Sequence, residues 1–275
     1  MIQDISLKFN NSYSKKEPKD DSIILFYRDK DILIKKDREK GAFLKYSEIK
    51  NEKGEYTYLF SIDSTDYFLS EGSNLDEKLI DCEMKNVRSL RELRPKHLAF
   101  AGLTGYQLYN WYKNNKFCGR CGHELEKDNK ERMLRCSNCN NMIYPKICPA
   151  VIVAVTDGDR LLMTKYASGV IKSYNLVAGF TEIGETLEET AKREVMEEVG
   201  LKVKNIRYYK SQPWSLTDTI LTGFVAEVDG DTNVTIDTEE LSVAHWIHRD
   251  DITTEFDDFS LTNEMIMKFK NNELV

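Results

Sequence analysis

Residues 179–201, "GFTEIGETLEETAKREVMEEVGL", crowd acidic side chains onto what reads as one short helix. Thr186 is placed to cap its N-terminus, and Glu189, three residues on, completes a capping box. Gly200 stands where a helix wants its terminating glycine. The spacing therefore predicts a helix over 187–199. Like charges at i,i+4 destabilise a helix by a few tenths of a kcal/mol, roughly, so Glu194, Glu197 and Glu198 need a reason to be there. Taking Glu194 as zero and stepping ~100° per residue, Leu187 falls near ~20°, Ala191 near ~60°, Val195 near ~100° and Val199 near ~140°. Glu198 falls near ~40° inside that apolar stripe, Glu194 borders it, and Glu197 lies on the open side near ~-60°. A merely solvated face does not put a carboxylate between core positions.

Three carboxylates at a packed edge ionise together only if a cation neutralises them. Hard oxygen ligands select Mg²⁺ or Mn²⁺. Arg193 beside them can hold one carboxylate by a bidentate contact. Gly179 and Gly184 frame a loop in which backbone groups can approach a ligand closely. Ion-binding carboxylates beside such a loop suit phosphoryl chemistry, where ions orient substrate and activate water.

Upstream, residues 117–145, "FCGRCGHELEKDNKERMLRCSNCNNMIYP", hold two C-x-x-C pairs separated by 14 residues. Cys118 with Cys121, and Cys136 with Cys139, each place two thiols on a tight turn that Gly119, Gly122 and Asn140 permit. Together they make a tetrahedral Cys₄ site suited to one zinc per chain. Four thiolates leave no open position, so the zinc is structural and supplies folding energy that this polar segment lacks. His123 sits beside the first knuckle and is not needed as a ligand.

The rest of the chain frames these motifs. Its 275 residues allow one large or two ordinary domains plus a small module, and 41% hydrophobic with 31% charged residues is an ordinary globular balance. A formal charge of -7 argues against a general nucleic-acid or membrane-surface binder. No signal peptide or long apolar run is visible, and the paired cysteines suit a reducing compartment, so a cytoplasmic protein with no membrane contact is expected. Runs such as "SIILFYR", "DILIKK", "YTYLFSI" and "DYFLS" read as strands, the first two joined at residues 29–30. Residues 75–115 read as helical with a break at Pro95, and His97 and Trp111 as packing residues. From residue 145 onward, "PAVIVAVTDGDRLLMTKYA" reads as a hairpin about "DGD", "IRYYKSQPW", "TILTGFVAEV" and "AHWIHR" as further strands, and "LTNEMIMKFKNN" as a closing helix. The division is an N-terminal α+β domain (1–115), a ribbon (116–144) and a third domain (145–275).

Gly179, five residues, Glu185, seven residues, then Arg193-Glu194-Val195-x-Glu197-Glu198-x-Gly200-Leu201 resembles the Nudix box without a departure. The resemblance implies an α+β chain whose Nudix domain is an α/β/α sandwich, and hydrolysis of a nucleoside diphosphate linked to a further group. It implies that Glu194, Glu197 and Glu198 bind the catalytic Mg²⁺ or Mn²⁺, with one of them as base for water and Arg193 among the catalytic residues.

The Cys₄ ribbon before the box, "YPKICPAVIVAV" (144–155) and "SQPW" (211–214) are together similar to the NADH pyrophosphatase subfamily over residues 117–247. That resemblance implies splitting of NAD(H) into NMN(H) and AMP, with NAD-capped RNA, ADP-ribose and dinucleoside polyphosphates as alternative substrates, and a homodimer. It implies that Tyr144 and Phe180 stack the adenine, that Gln212, Trp214 and Thr219 belong to the substrate-reading segment, and that Glu240 of "IDTEEL" is a further metal carboxylate. One departure stands out. The subfamily's Pro-Phe-Pro-x-Ser after "SQPW" reads Ser215-Leu216-Thr217-Asp218-Thr219 here, keeping only the final hydroxyl. Cys148 reads as a packing thiol. A reading from another class is a nucleotide-sensing, nucleic-acid-binding regulator with an inactive Nudix fold, against which the complete set of box carboxylates speaks.

Overall fold

The apolar and aromatic runs in the first part of the chain become strands because each offers a face to bury between polar turns. The computed structural model describes residues 1–37, 42–71, 75, 79–167 and 173–274. Contacts divide the chain into a unit of Gln3–Lys146 with Ser215–Thr217, and a unit of Met1–Ile2, Ile147–Trp214 and Asp218–Val275.

The first unit contains β1 (Phe9–Asn10), β2 (Ile23–Leu25), β3 (Tyr27–Arg28), β4 (Asp31–Lys35), β5 (Leu44–Lys45), α1 (Tyr46–Ile49), β6 (Glu55–Ile62), β7 (Thr65–Glu71), β8 (Cys82–Asn86) and α2 (Lys96–Asn114). One sheet runs β1-β6-β7-β2-β5 and another β3-β4-β8. Ile24, Phe26, Leu33, Leu44, Ile49, Tyr58 and Phe68 form a buried cluster. The helical reading of 75–115 is corrected in part; its residues 76–78 lie outside the described residues. Cys82–Asn86 is a strand antiparallel to β4, and Val87–Glu92 is a 3₁₀ helix. The apolar strand Ile32-Leu33-Ile34 offers a ladder of backbone partners, and that tertiary pairing outweighs local helical preference. The expected break at Pro95 holds, with α2 starting at Lys96. Trp111 is buried in that helix, as read.

The ribbon lies within this unit as β9 (Leu125–Lys127), β10 (Leu134–Cys136) and β11 (Met142–Ile143), in the order β11-β10-β9.

The second unit holds β12 (Cys148–Asp157), β13 (Arg160–Tyr166), β14 (Val177–Phe180), α3 (Leu187–Val199), β15 (Val203–Trp214), β16 (Thr219–Val228), β17 (Leu241–His248) and α4 (Leu261–Lys270). Its sheet runs β15-β16-β12-β13-β17, with β14 also paired to β12. The unbroken run at 150–155 is explained by burial on both faces. Val151, Val153 and Val155 join Ala191, Val195 and Val199 of α3 in one core. Ile152 and Ala154 join Leu261, Met265, Ile266 and Phe269 of α4 in another. The sheet between two helical layers is the α/β/α sandwich that the resemblance implied. β12 pairs with β13 only at residues 156–157, and its residues 150–153 pair with β14, so the chain leaving β14 enters the α3 loop beside the central strand. Among the described residues no helix is long and apolar enough to cross a membrane.

Candidate active site

Helix α3 spans Leu187–Val199, as its caps predict. The Thr186 hydroxyl accepts from Glu189 N–H at 3.2 Å, and the Glu189 carboxylate accepts from Thr186 N–H at 2.8 Å. Gly200 ends the helix at φ +70, where a side chain would be strained, and its N–H bonds Met196 O at 3.0 Å. The wheel is also correct. Glu198 is 2% exposed and Glu194 8% exposed, in one stripe with Ala191, Val195 and Val199, while Glu197 is exposed.

Arg193 organises the surroundings. Its Nε donates to Glu185 Oε1 (2.6 Å), and Nη2 to Glu185 Oε2 and Phe180 O (2.9 Å each). Its Nη1 donates to Glu194 Oε1 (2.7 Å) and Glu197 Oε2 (2.9 Å). A guanidinium has five N–H donors, and all five are engaged here. Arg193, expected among the catalytic residues, thus has its donors on Glu185, Glu194, Glu197 and the Phe180 carbonyl. Glu185 is its anchor: the guanidinium, with Glu182 N–H, draws the Glu185 carboxyl down to about 2. The box sequence marked Glu185 without giving it a role. Gly179 has a different use from the one expected. A Cβ there would lie 2.0 Å from Glu194 Cδ, so the glycine makes room for the Glu194 carboxylate itself.

Glu198 Oε2 is buried with no hydrogen-bond partner. Burial, then the Glu194 and Glu240 carboxylates, push the Glu198 carboxyl up to about 8, against the main-chain N–H of Ala178 and with a further push from Asp237. Glu194 is raised as well, by burial first, with Arg193 opposing. An orphaned carboxylate oxygen among carboxylates is a donor set short of a cation, which fits a hard divalent ion. Glu240 is exposed, at the foot of β17, and its charge acts on both Glu194 and Glu198. Asp237 and Tyr166 were not singled out from sequence. Asp237 N–H bonds Glu198 O at 2.9 Å, and Tyr166 feels the Glu198, Glu240 and Glu194 charges after its own burial. Neither has a local sequence signal: Tyr166 is brought there by its pairing with β17, and Asp237 by its main-chain bond to α3.

The substrate-reading residues are placed less uniformly. Gln212, expected to face substrate, is fully buried; its Nε2 donates to Phe259 O and its Oε1 accepts from Leu261 N–H, both at 2.8 Å. It satisfies the first turn of α4, whose N–H groups have no helical partner. Thr219 is buried opposite Cys148 and Trp214 in the sheet. Trp214 is half-buried, edge-on to Phe259 at 5.8 Å. Phe180, 53% exposed, offers an open ring at the end of β14. Tyr144, in the other unit, is also 53% exposed, and its hydroxyl donates to Glu131 at 2.8 Å.

The four ribbon cysteines come together. Cys118 and Cys139 Sγ lie 3.6 Å apart, and Cys121 lies 3.4 Å from both Cys136 and Cys139. Sulfurs at ~2.3 Å from a tetrahedral zinc stand roughly 3.8 Å apart, so the set fits. Gly122 (φ +75) and Asn140 (φ +57) turn the knuckles, each closing on the first cysteine's carbonyl. The main-chain N–H of His123 helps bring the Cys121 thiol down to about 5, toward the thiolate a metal takes. His123 itself is exposed. Among the described residues these cysteines are the group whose ligand atoms all lie within 4.8 Å. With Glu194 and Glu197 drawn to Arg193, the box carboxylates are not gathered so closely.

Residues 146–268 match the NUDIX domain family and residues 113–144 the NADH pyrophosphatase zinc ribbon domain. The chain is 42% identical over 173 residues to the NAD-capped RNA hydrolase NudC of Escherichia coli O1:K1 / APEC, and 41% identical over 170 residues to that of Enterobacter sp. (strain 638). Each match covers 62% of this chain and 65% of the relative, so the chain spans just under two thirds of the curated relatives it matches. A crystal structure of a NUDIX hydrolase from Nitrosomonas europaea aligns with a TM-score of 0.44 at 24% identity, over 50% of this chain and 80% of that one. The sandwich and the complete box thus lie in the segment that matches the NUDIX domain family, and the four-cysteine ribbon in the segment that matches the NADH pyrophosphatase zinc ribbon domain.

Proposed function

We propose that this chain hydrolyses the diphosphate of NAD(H), giving NMN(H) and AMP, with Mg²⁺ or Mn²⁺ at the box carboxylates and a structural zinc in the ribbon. The observation that carries this is the buried, partnerless Oε2 of Glu198 among Glu194, Glu240 and Asp237. Glu194, Glu197, Glu198 and Glu240 are the residues that would hold the ion. A bound divalent ion supplies charge neutralisation for a diphosphate and lowers the pKa of water. The chain's own part is geometric. Arg193 fixes Glu194 and Glu197, Glu185 fixes Arg193, and Gly179 leaves the space that Glu194 fills. Glu198, buried with Oε2 unpartnered, is the group suited to take a proton from attacking water at that oxygen. Water adds across one P–O bond of the bridge, its hydroxyl going to one phosphorus and the bridging oxygen leaving with the other, so each half ends as a monophosphate.

The relatives' name, NAD-capped RNA hydrolase, supports a second reading in which the same bond is cut at the 5′ end of an RNA. The resemblance also carries a homodimer, and free thiols at every described cysteine suit a cytoplasmic setting. The test is turnover of NADH and of a 5′-NAD-capped RNA with Mn²⁺, products separated by chromatography. NMNH and AMP in equal amounts are expected. Tight nucleotide binding with no cleavage of any substrate would sink the enzyme reading in favour of a nucleotide-sensing protein.

A further inference from the structure

The β13–β17 ladder is regular from Arg160 opposite His248 to Lys165 opposite Val243, and then steps to Tyr166 opposite Leu241. Ser242 is the extra residue of a β-bulge. The consequence shows in the packing. Ala244 and Trp246 face the α3 core and Ile247 faces the α4 core, as alternation requires. Leu241, out of phase with them, nonetheless lies in the α3 core at 1% exposure. The bulge switches the phase of the strand at the point where Glu240 precedes it. The Ser242 hydroxyl lies 3.2 Å from both Lys165 O and Tyr166 O, and Ala167 N–H bonds Glu240 O at 2.8 Å. On the far side, the chain leading to Glu240 is tied to the end of α3. Thr235 N–H bonds Val199 O at 3.0 Å, Asp237 N–H bonds Glu198 O at 2.9 Å, and Trp246 Nε1 donates to Thr232 O at 2.9 Å.

We infer that this bulge is a positioning device for the fourth carboxylate: Ser242, through its hydroxyl, keeps Leu241 in phase with the α3 core and so fixes Glu240 against Glu194 and Glu198. Ser242 is a positioning residue and touches no reacting atom. The inference rests on the reading of these glutamates as ligands of a divalent ion, and it adds the residue that sets their spacing.

The experiment is Mn²⁺ titration of the zinc-loaded 275-residue chain, read by electron paramagnetic resonance of the free ion, with no nucleotide present. Glu240→Gln and Ser242→Ala are each expected to weaken Mn²⁺ binding, Ser242→Ala by on the order of tenfold as for other outer-shell partners. Ser242→Thr, which keeps the hydroxyl, restores affinity. In the Glu240→Gln background Ser242→Ala has no further effect, since its role runs through that carboxylate. Thermal midpoints fall only slightly, because Ser242 is exposed and the rest of the β13–β17 ladder remains. Unchanged affinity in Ser242→Ala, or an equal loss in both backgrounds, overturns the inference while leaving the proposed function standing. A wild-type chain that binds no Mn²⁺ overturns both.

Discussion

Glu197 and Glu198 are neighbours in sequence and opposites in surroundings. Glu197 reaches out to Arg193 across an exposed face, while Glu198 turns inward with one oxygen unpartnered. Replacing either with Gln keeps shape and removes charge. Each change is expected to lower kcat by roughly 10²-fold or more with the fold intact. Glu189→Gln is the control: its carboxylate serves Thr186 at the cap, so it should lower the thermal midpoint and spare turnover. Equal activity losses in all three would make the helix a scaffold and not a ligand set. Glu198 also sets a pH dependence. Its folded pKa, about 8, lies above the ordinary value of 4.5, so between these the native state holds a proton that the unfolded chain has released. Stability is then lost as pH rises through that window and levels off above about 8. Without added divalent ion, Glu198→Gln should gain thermal midpoint over wild type progressively from pH 5 to pH 8, roughly. A constant difference across that range would show that Glu198 titrates normally.

Among the elements, those with local signals were legible and those made by distant partners were not. Thr186, Glu189 and Gly200 fixed both ends of α3, because caps act within one turn. The cysteine knuckles were legible because ligand spacing is itself local. Strand β8 was hidden, since Cys82–Asn86 is a strand only through β4. The place of Gln212 is hidden for a related reason: its amide serves α4, an element 49 residues away in sequence. Gly179 was read as room for a ligand, and the room belongs to Glu194. Gly179→Ala should therefore displace that carboxylate and weaken Mn²⁺ binding about tenfold or more, with little change in far-ultraviolet circular dichroism. Retained affinity would mean that the loop yields instead. The ribbon makes the contrasting prediction. Purified protein should contain about one zinc per chain, and Cys136→Ser should cost solubility or stability before it touches the chemistry, since a closed site has no catalytic position. A fully stable Cys136→Ser variant that lost only turnover would overturn the structural assignment.

At the scale of the whole molecule, the box and its carboxylates belong to one unit and the four ribbon cysteines to the other, so the two candidate metal sites are built separately. Substrate choice is then a matter of what grips the two nucleoside halves. The open ring of Phe180 suits base stacking, and replacing it with Ala should lower kcat/KM for NADH and ADP-ribose alike, by about 1–3 kcal/mol. The nicotinamide half has fewer candidates than the resemblance implied. Gln212 and Thr219 are buried in the sheet, and the turn at 215–218 lacks the subfamily's prolines and ring. Trp214 remains half-exposed. A hydrogen-bonding or stacking residue that is absent cannot discriminate, so ADP-ribose, which shares the adenosine and the diphosphate, should compete well. Measured side by side with Mn²⁺, kcat/KM for NADH, NAD, ADP-ribose and a 5′-NAD-capped RNA should show a preference for NADH over ADP-ribose below ~100-fold, or about 2.7 kcal/mol. A larger preference would mean that the altered turn still reads the nicotinamide, with Trp214 as the first residue to replace.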